Sequence, residues 1–408
     1  MIDSFSTMKS TERGLLAVNA GSSSIRFALF SARAPIRRVL DGKVDRIGLS
    51  GTRLSFNDRL ESRKGTLPAP SGDHEAAAGF LVNWLEKRVP FGSLLGVGHR
   101  VVHGMARVEP ARVTRGLIAA LRRTAPFDPD HLPREIGLIS AFLARYPRLA
   151  QVACFDTAFH RSMPRVARIL PIPRKYEAMG LARYGFHGLS YEFLIEELGR
   201  IAGPAAARGR VILAHFGNGA SLAAVRGGRS RDTSMGFTPA GGIVMSTRTG
   251  DLDPGVGCFL ARRRRMSAAA FLDMANHKSG LLGVSGTTSD MRDLLLREAR
   301  DPRAAEAVEL FCYQARKWIG AYAAALGGLD TIVFSGGIGE NAPAVRARVC
   351  EGLGFLGVRI DRRRNQSSAP LISSGRVAVR VIRTDEELMI ARSVIRLLEG
   401  SPKGKQKK

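Results

Sequence analysis

The stretch Leu15-Leu16-Ala17-Val18-Asn19-Ala20-Gly21-Ser22-Ser23-Ser24-Ile25-Arg26-Phe27-Ala28-Leu29-Phe30 holds two short apolar runs, 15–19 and 25–30, around a Gly-Ser-Ser-Ser turn. That pattern predicts a strand–turn–strand unit. Residues 211–216 and 221–225 repeat it around Gly217-Asn218-Gly219, a hint of duplicated architecture. Outward from the first unit, 94–102 and 152–155 read as buried strands. Helical spacing occurs at 75–88 (behind candidate caps Ser71 and Asp73), around 117–123 and at 133–145. Farther on come a long helical pattern at 304–326, a strand at 331–335, a Gly-rich turn, a helix from about 342, a strand at 377–382 and an amphipathic helix at 384–398. Strands alternating with helices predict an α/β fold.

With 408 residues the chain is about twice the usual domain size, so two domains are expected. Residues 1–13 and 401–408 read as disordered ends, the second rich in lysine. No apolar run approaches the ~20 residues of a membrane span, and no signal-peptide stretch is recognised, so a cytoplasmic protein is expected. Cys154, Cys258, Cys312 and Cys350 form no C-x-x-C pair, which argues against structural zinc and a disulfide framework. Sixty-two Lys and Arg against 36 Asp and Glu give a net charge of +26, which raises a nucleic-acid hypothesis. The cations are spread along the chain, however, with runs only at 262–265, 362–364 and the tail. No aromatic interleaving, zinc-finger spacing or helix-turn-helix accompanies them. A solvated basic surface on a protein with anionic substrates is the simpler reading.

Walker A and protein-kinase signatures are absent. A G-x-G-x-x-G match at Gly352, Gly354 and Gly357 follows a helix and reads as chance. Any nucleotide must be held by other turns. The turn after Asn19 aims backbone N–H groups and the Ser22 and Ser24 hydroxyls into one concavity suited to phosphate, and Asn19 offers an amide oxygen to magnesium. A plain hairpin is the alternative. Asn218 occupies the equivalent turn of the second unit, and Gly336-Gly337-Ile338-Gly339-Glu340-Asn341 lies between a strand and a helix, where backbone approaches a ligand closely. Asp156 closes the 152–155 strand, as a functional carboxylate or as a helix cap.

The chain resembles the acetate kinase family (acetate, propionate and butyrate kinases) of the actin-like sugar-kinase and chaperone superfamily. The matching blocks are N-A-G-S-S-S at 19–24, G-H-R-V-V-H-G at 98–104, F-D-T-A-F-H at 155–160, Y-G-F-H-G at 184–188 and H-F-G-N-G-A-S at 215–221. D-T-S-M-G-F-T-P at 232–239, S-G-L-L-G-V-S-G at 279–286, G-G-I-G-E-N at 336–341 and T-D-E-E-L-M-I-A at 384–391 complete the series, in the family's order. The resemblance implies an α/β fold of two actin-like (ribonuclease H-like) domains facing each other across a nucleotide cleft. Their expected bounds are 1–160 completed by the helix 384–398, and 161–383 with the nucleotide site and the dimer interface; 399–408 would be a basic tail.

It also implies ATP-dependent phosphorylation of acetate or another short carboxylate, with Mg2+ (or Mn2+) and a homodimer. A carboxylate is ionised at neutral pH, so it attacks the γ-phosphoryl without a general base, and catalysis reduces to positioning and charge neutralisation. Arg100 and Arg248 match the arginines that clamp carboxylate and phosphoryl, His187 the histidine that stabilises the moving group, and Asp156, Asn19 and Glu386 the magnesium positions. Glu387 is set aside because Thr384-x-x-Glu387 fits a capping box. For the nucleotide the matches are Ser22, Ser24, Arg26, His215, Asn218, Gly219, Asp290, Arg292, Gly337, Gly339 and Asn341. Val102, Phe127, Phe186 and Pro239 match the pocket for the methyl group. Phe127 stands where the family has Leu, which predicts a smaller pocket worth only ~1–3 kcal/mol per methylene. Asp128 replaces a family histidine, with His131 as a compensating group; Arg26, Ser246 and Tyr191 also depart from the usual Lys, Gly and His. A basic nucleic-acid-binding protein on a degenerate kinase fold is the alternative of another class.

Overall fold

The computed structural model describes residues 13–21 and 24–400. The expected disorder at 1–12 and 401–408, and the assignment of Ser22, lie outside the described residues. The chain divides into two compact units. Unit 1 runs up to Ala158 and resumes at Asp385; unit 2 is Phe159–Thr384.

Unit 1 is built on an eight-stranded sheet: β1 (Gly14–Ala20), β2 (Ser24–Ser31), β3 (Arg37–Asp45), β4 (Arg53–Asp58), β5 (Arg63–Pro68), β6 (Leu94–Val101), β7 (Ala111–Arg112) and β8 (Gln151–Phe155). Its order is β5-β4-β3-β2-β1-β6-β8-β7. Every residue of β1 is buried, which explains its apolar run Leu15–Val18; Asn19 is the polar exception. It pairs antiparallel with β2, in a register that sets Asn19 opposite Arg26, and parallel with β6. The helix His74–Glu86, capped by Asp73, buries Trp84 against Phe27 and Phe56 at ring distances of 5.7 and 5.1 Å.

The last helix, Glu386–Glu399, completes this unit and reaches one residue into the segment expected as tail. A Cβ placed on Gly98 would lie 2.3 Å from Ile390 Cγ2 and 2.7 Å from Val394 Cγ2. Only a glycine lets this helix lie directly on β6. Met389, Ile390 and Val394 are fully buried there, each contributing about 1.5–3 kcal/mol. Its cap differs from the expected capping box. Asp385 accepts the Leu388 N–H at 3.0 Å and pairs with Arg38, while the Thr384 hydroxyl bonds Ser190 at 2.8 Å. Glu387 lies 3.8 Å from Arg38 rather than folding back on the helix start.

Unit 2 carries five strands: β9 (Arg210–Phe216), β10 (Ala220–Arg226), β11 (Arg229–Thr233), β12 (Thr331–Ser335) and β13 (Ala378–Val381). Their order, β11-β10-β9-β12-β13, repeats the β3-β2-β1-β6-β8 portion of the first sheet. In both, three antiparallel strands are followed by two parallel ones. The hint of duplication is thus realised as one topology used twice. The helix Pro302–Leu326, started by Asp301 and stopped by Gly327, packs on β9 and β10 and sets Phe311 edge-on to Phe216 at 5.1 Å. No helix among the described residues is long and apolar enough to cross a membrane.

Candidate active site

In unit 1 the candidate residues gather at the ends of β1, β6 and β8, where parallel α/β strands expose their C-terminal edges. Arg100, next to last in β6, donates from Nη2 to Asp156 Oδ2 at 2.7 Å, and its Nε lies 4.0 Å from Glu386 Oε2. Asp156 is fully buried, and its N–H is held by the Val101 carbonyl at 2.9 Å. Asn19 donates from Nδ2 to Glu386 Oε2 at 2.9 Å. Burial opposes the charge of Arg100, yet Asp156, Glu386 and Glu135 together hold its pKa above the usual arginine value. Glu386 is raised by burial, with Arg100 opposing and Asp156 adding repulsion. Arg26 is exposed on β2 and acts electrostatically on Glu386. Ser24 opens β2, and its carbonyl accepts the Gly21 N–H at 2.7 Å to close the turn.

Two carboxylates and an amide are hard oxygen donors, which fit magnesium, an ion usually held by one or two carboxylates plus substrate phosphates. No group of three or more His, Cys, Asp or Glu among the described residues could hold a metal without such help.

Val102 is buried beside this cluster, and Phe127 ends the short 3-10 turn Ala125–Phe127, its ring 6.3 Å from His103. Asp128, which replaces a family histidine, is buried and accepts a hydrogen bond from His131 Nδ1 at 2.9 Å. Glu135 was not singled out from sequence. Both its oxygens contact the Val102 N–H, and burial pushes it up to about 8. Nothing in a lone acidic residue on an amphipathic helix signals such a contact.

Unit 2 brings His187, His215, Asn218, Gly219 and Arg248 to the turn between β9 and β10. His187 precedes the helix Gly188–Ala202 with φ 58°, a conformation uncommon for a side-chain-bearing residue. Its ring stacks on that of His215 at 4.2 Å. Each imidazole has Nδ1 engaged by a hydroxyl at 2.8 Å, His187 by Ser221 and His215 by Ser190. The Nε2 edges face the Gly-Asn-Gly turn. A Cβ on Gly219 would meet His187 Nε2 at 3.3 Å and Arg248 Nη1 at 3.7 Å, and one on Gly217 would meet His215 Nε2 at 3.6 Å. Asn218 itself is exposed.

Arg248 reaches this turn because its loop is fixed on both sides. Ser246 donates its N–H to the Asn218 carbonyl at 3.3 Å. The N–H groups of Ser279, Leu281 and Leu282 bond the carbonyls of Thr247, Met245 and Ser246 at 2.9–3.0 Å. Arg248 Nη1 also donates to the Pro239 carbonyl at 3.4 Å. Phe186 is buried, and its carbonyl accepts from His160 Nε2 at 3.0 Å.

The turn after β12 forms the short helix Gly336–Asn341. Glu340 Oε1 accepts the Gly336 and Thr384 N–H groups at 3.0 and 3.3 Å, and Asn341 donates to the Gly337 carbonyl at 2.9 Å. A Cβ on Gly337 would meet nothing within 4 Å, whereas Gly339 packs on Phe334 and Ala214. Behind the turn stands Arg346, fully buried, donating to the Gly339 and Glu340 carbonyls at 2.8 and 3.0 Å and to Asn365 and Ser368. Burial lowers it to about 10. Asp290 caps the helix Met291–Arg297 through the Arg292 N–H, and the Arg292 side chain forks back onto it at 2.9 Å on the surface.

The Acetokinase family matches residues 14–392, nearly the whole chain. The chain belongs to the acetokinase family. It is 44% identical over 394 residues to an acetate kinase of Rhodopseudomonas palustris, covering 95% of this chain and 98% of that protein. Identity to a propionate kinase of Citrobacter rodentium is 41% over 392 residues, 94% of this chain and 96% of the other. The crystal structure of Porphyromonas gingivalis acetate kinase superposes with a TM-score of 0.84 at 35% identity, covering 95% of this chain and all of that one. The α/β fold in two actin-like units is therefore the acetokinase fold.

Proposed function

We propose that this chain transfers the γ-phosphoryl group of ATP to acetate, reversibly, forming acetyl phosphate and ADP. One carboxylate oxygen attacks phosphorus in line, and the bond from phosphorus to the ADP oxygen breaks. The observation that carries this reading is the pairing of charge-neutralising groups with the absence of any need for a base. Arg100 is held beside Asp156, and Arg248 beside His187, in arrangements suited to anions rather than to proton abstraction from a nucleophile.

In this reading Arg100 binds the carboxylate and Arg248 and His187 meet the phosphoryl oxygens as charge shifts towards ADP. Asn19, Asp156 and Glu386 would hold Mg2+, or Mn2+ in its place; bound with ATP, the ion would neutralise phosphate charge. Val102, Phe127, Phe186 and Pro239 meet the methyl group. The turns carrying Ser22, Ser24, Arg26, His215, Asn218 and Gly219 meet the phosphates, and Gly337, Gly339, Asn341, Asp290 and Arg292 the nucleoside. The protein works in the cytoplasm as a homodimer.

Propionate is the second substrate reading, because relatives named for both acids match at similar identity. The test is a hydroxamate assay with Mg-ATP and acetate, propionate or butyrate. Acyl phosphate peaking with acetate supports the proposal; a peak with propionate shifts the substrate. No acyl phosphate from any acid rejects carboxylate phosphorylation.

A further inference from the structure

Behind His187 lies a chain of two hydroxyls. Ser221 Oγ is 2.8 Å from His187 Nδ1 and 2.5 Å from the Tyr191 phenol oxygen, and both Ser221 and Tyr191 are fully buried. Tyr191 sits one helical turn after His187, which places its ring under the imidazole at 6.4 Å, edge to face. Ser221 comes from the strand β10. Tyr191 and Ser221 thus lie within a helix and a strand, and His187 stands at the start of that helix.

The proton inventory limits how such a chain is wired. A serine hydroxyl has one hydrogen to give. Phenol, the stronger acid, donates to serine, so the serine hydrogen goes to Nδ1 of the imidazole. With Nδ1 an acceptor, the neutral ring carries its hydrogen on Nε2. That edge faces the Gly219 turn beside Arg248. A second imidazole, His215, stacks on the ring at 4.2 Å, and the Arg248 guanidinium reaches the same turn.

We propose that Tyr191 and Ser221 are positioning residues that fix His187 as the neutral Nε2–H tautomer, so that it presents a donor to a phosphoryl oxygen. The inference rests on the phosphoryl role proposed for His187. Without the chain the ring would be free to exchange tautomers and rotate, and its Nδ1–H form would offer a lone pair to an anion. Arg248 then supplies the charge and His187 a directional hydrogen bond, a division of labour that avoids setting two cations side by side.

The experiment combines 15N-histidine NMR with kinetics on the full chain, the His187 signals being assigned with His187→Gln. In the wild type the Nε2–H signature is expected. Tyr191→Phe keeps the ring and removes the hydroxyl. It should yield mixed tautomers, a kcat lowered about 10-fold or more, as for other residues that orient a working group, and a carboxylate KM close to wild type. Ser221→Ala should do the same from the middle of the chain, and its tautomer readout stands even if Tyr191→Phe folds poorly. An Nδ1–H signature in the wild type overturns the proposal. So does wild-type kcat with an unchanged tautomer in both variants. If His187→Gln itself keeps full activity, the phosphoryl role of His187 fails, which the NMR result separates from failure of the hydroxyl chain.

Discussion

Glu135 accepts the Val102 N–H on both carboxyl oxygens, at 3.0 and 3.2 Å, from inside the helix Leu132–Arg145. Val102 is the first residue beyond β6, two after Arg100, where the strand has run out of partners for its backbone. A buried N–H there needs an acceptor, and a helix side chain supplies one. The contact ties the position of the proposed substrate-binding segment to a titrating group.

The consequence is a pH dependence of stability. Burial raises Glu135 to about 8, with Arg100 opposing and Asp128 and Asp156 adding to the rise. The unfolded chain loses this proton near pH 4.3, so between there and about 8 the folded state binds more protons. Stability from this group therefore falls as pH rises through that window, by about 1.4 kcal/mol for each pH unit separating the two titrations. Glu135→Gln keeps an acceptor for Val102 and abolishes the titration. Its unfolding midpoint should gain on wild type from pH 5 to pH 8; parallel curves would remove Glu135 as the cause.

Arg100→Ala and Arg248→Ala should each lower turnover by about 10²–10³ while far-UV circular dichroism stays native. Arg100→Ala also leaves Asp156 and Glu386 without their shared cation, so its loss should be the less readily rescued by added guanidinium. Near-normal rates in either variant would reject the proposed site.

Phe127→Leu should raise the specificity constants for propionate and butyrate relative to acetate, by up to about tenfold. The ring ends a short turn beside His103 and is only half-buried, so the exchange leaves the core intact. An unchanged ratio across the acid series would exclude Phe127 from contact with the substrate chain.

Arg346→Lys should loosen the 336–341 turn, because an ammonium cannot span the Gly339, Glu340 and Asn365 oxygens that the guanidinium fork reaches. A loss of about 2–5 kcal/mol in stability is expected. The KM for ATP should rise with little change in that for acetate. Equal effects on both would show a general rather than a local role.

Periodicity and turn chemistry sufficed for the strand–turn–strand units, the long helix near 304–326 and the α/β class, because these rest on local patterns of burial and on the φ limits of glycine. Ordered motifs sufficed for the family, later established by similarity over the whole chain. They also named the arginines, His187 and the acidic cluster as candidates. What sequence left open was every choice made by a distant neighbour. Thr384 lost the helix cap to Asp385 because Ser190, 194 residues away, engages its hydroxyl. Asp128 found His131 three residues on, but only a turn of particular shape brings them together. Gly98 reads as a weak strand residue until Ile390 lies on it. Ser221, Glu135 and Arg346 carried no local signal, since their work is to satisfy buried polar groups brought close by packing. The chain alone therefore determined which elements form and which chemical groups are available; the tertiary structure decided which hydrogen-bond partner each group meets, because burial removes water and leaves neighbours as the only alternative.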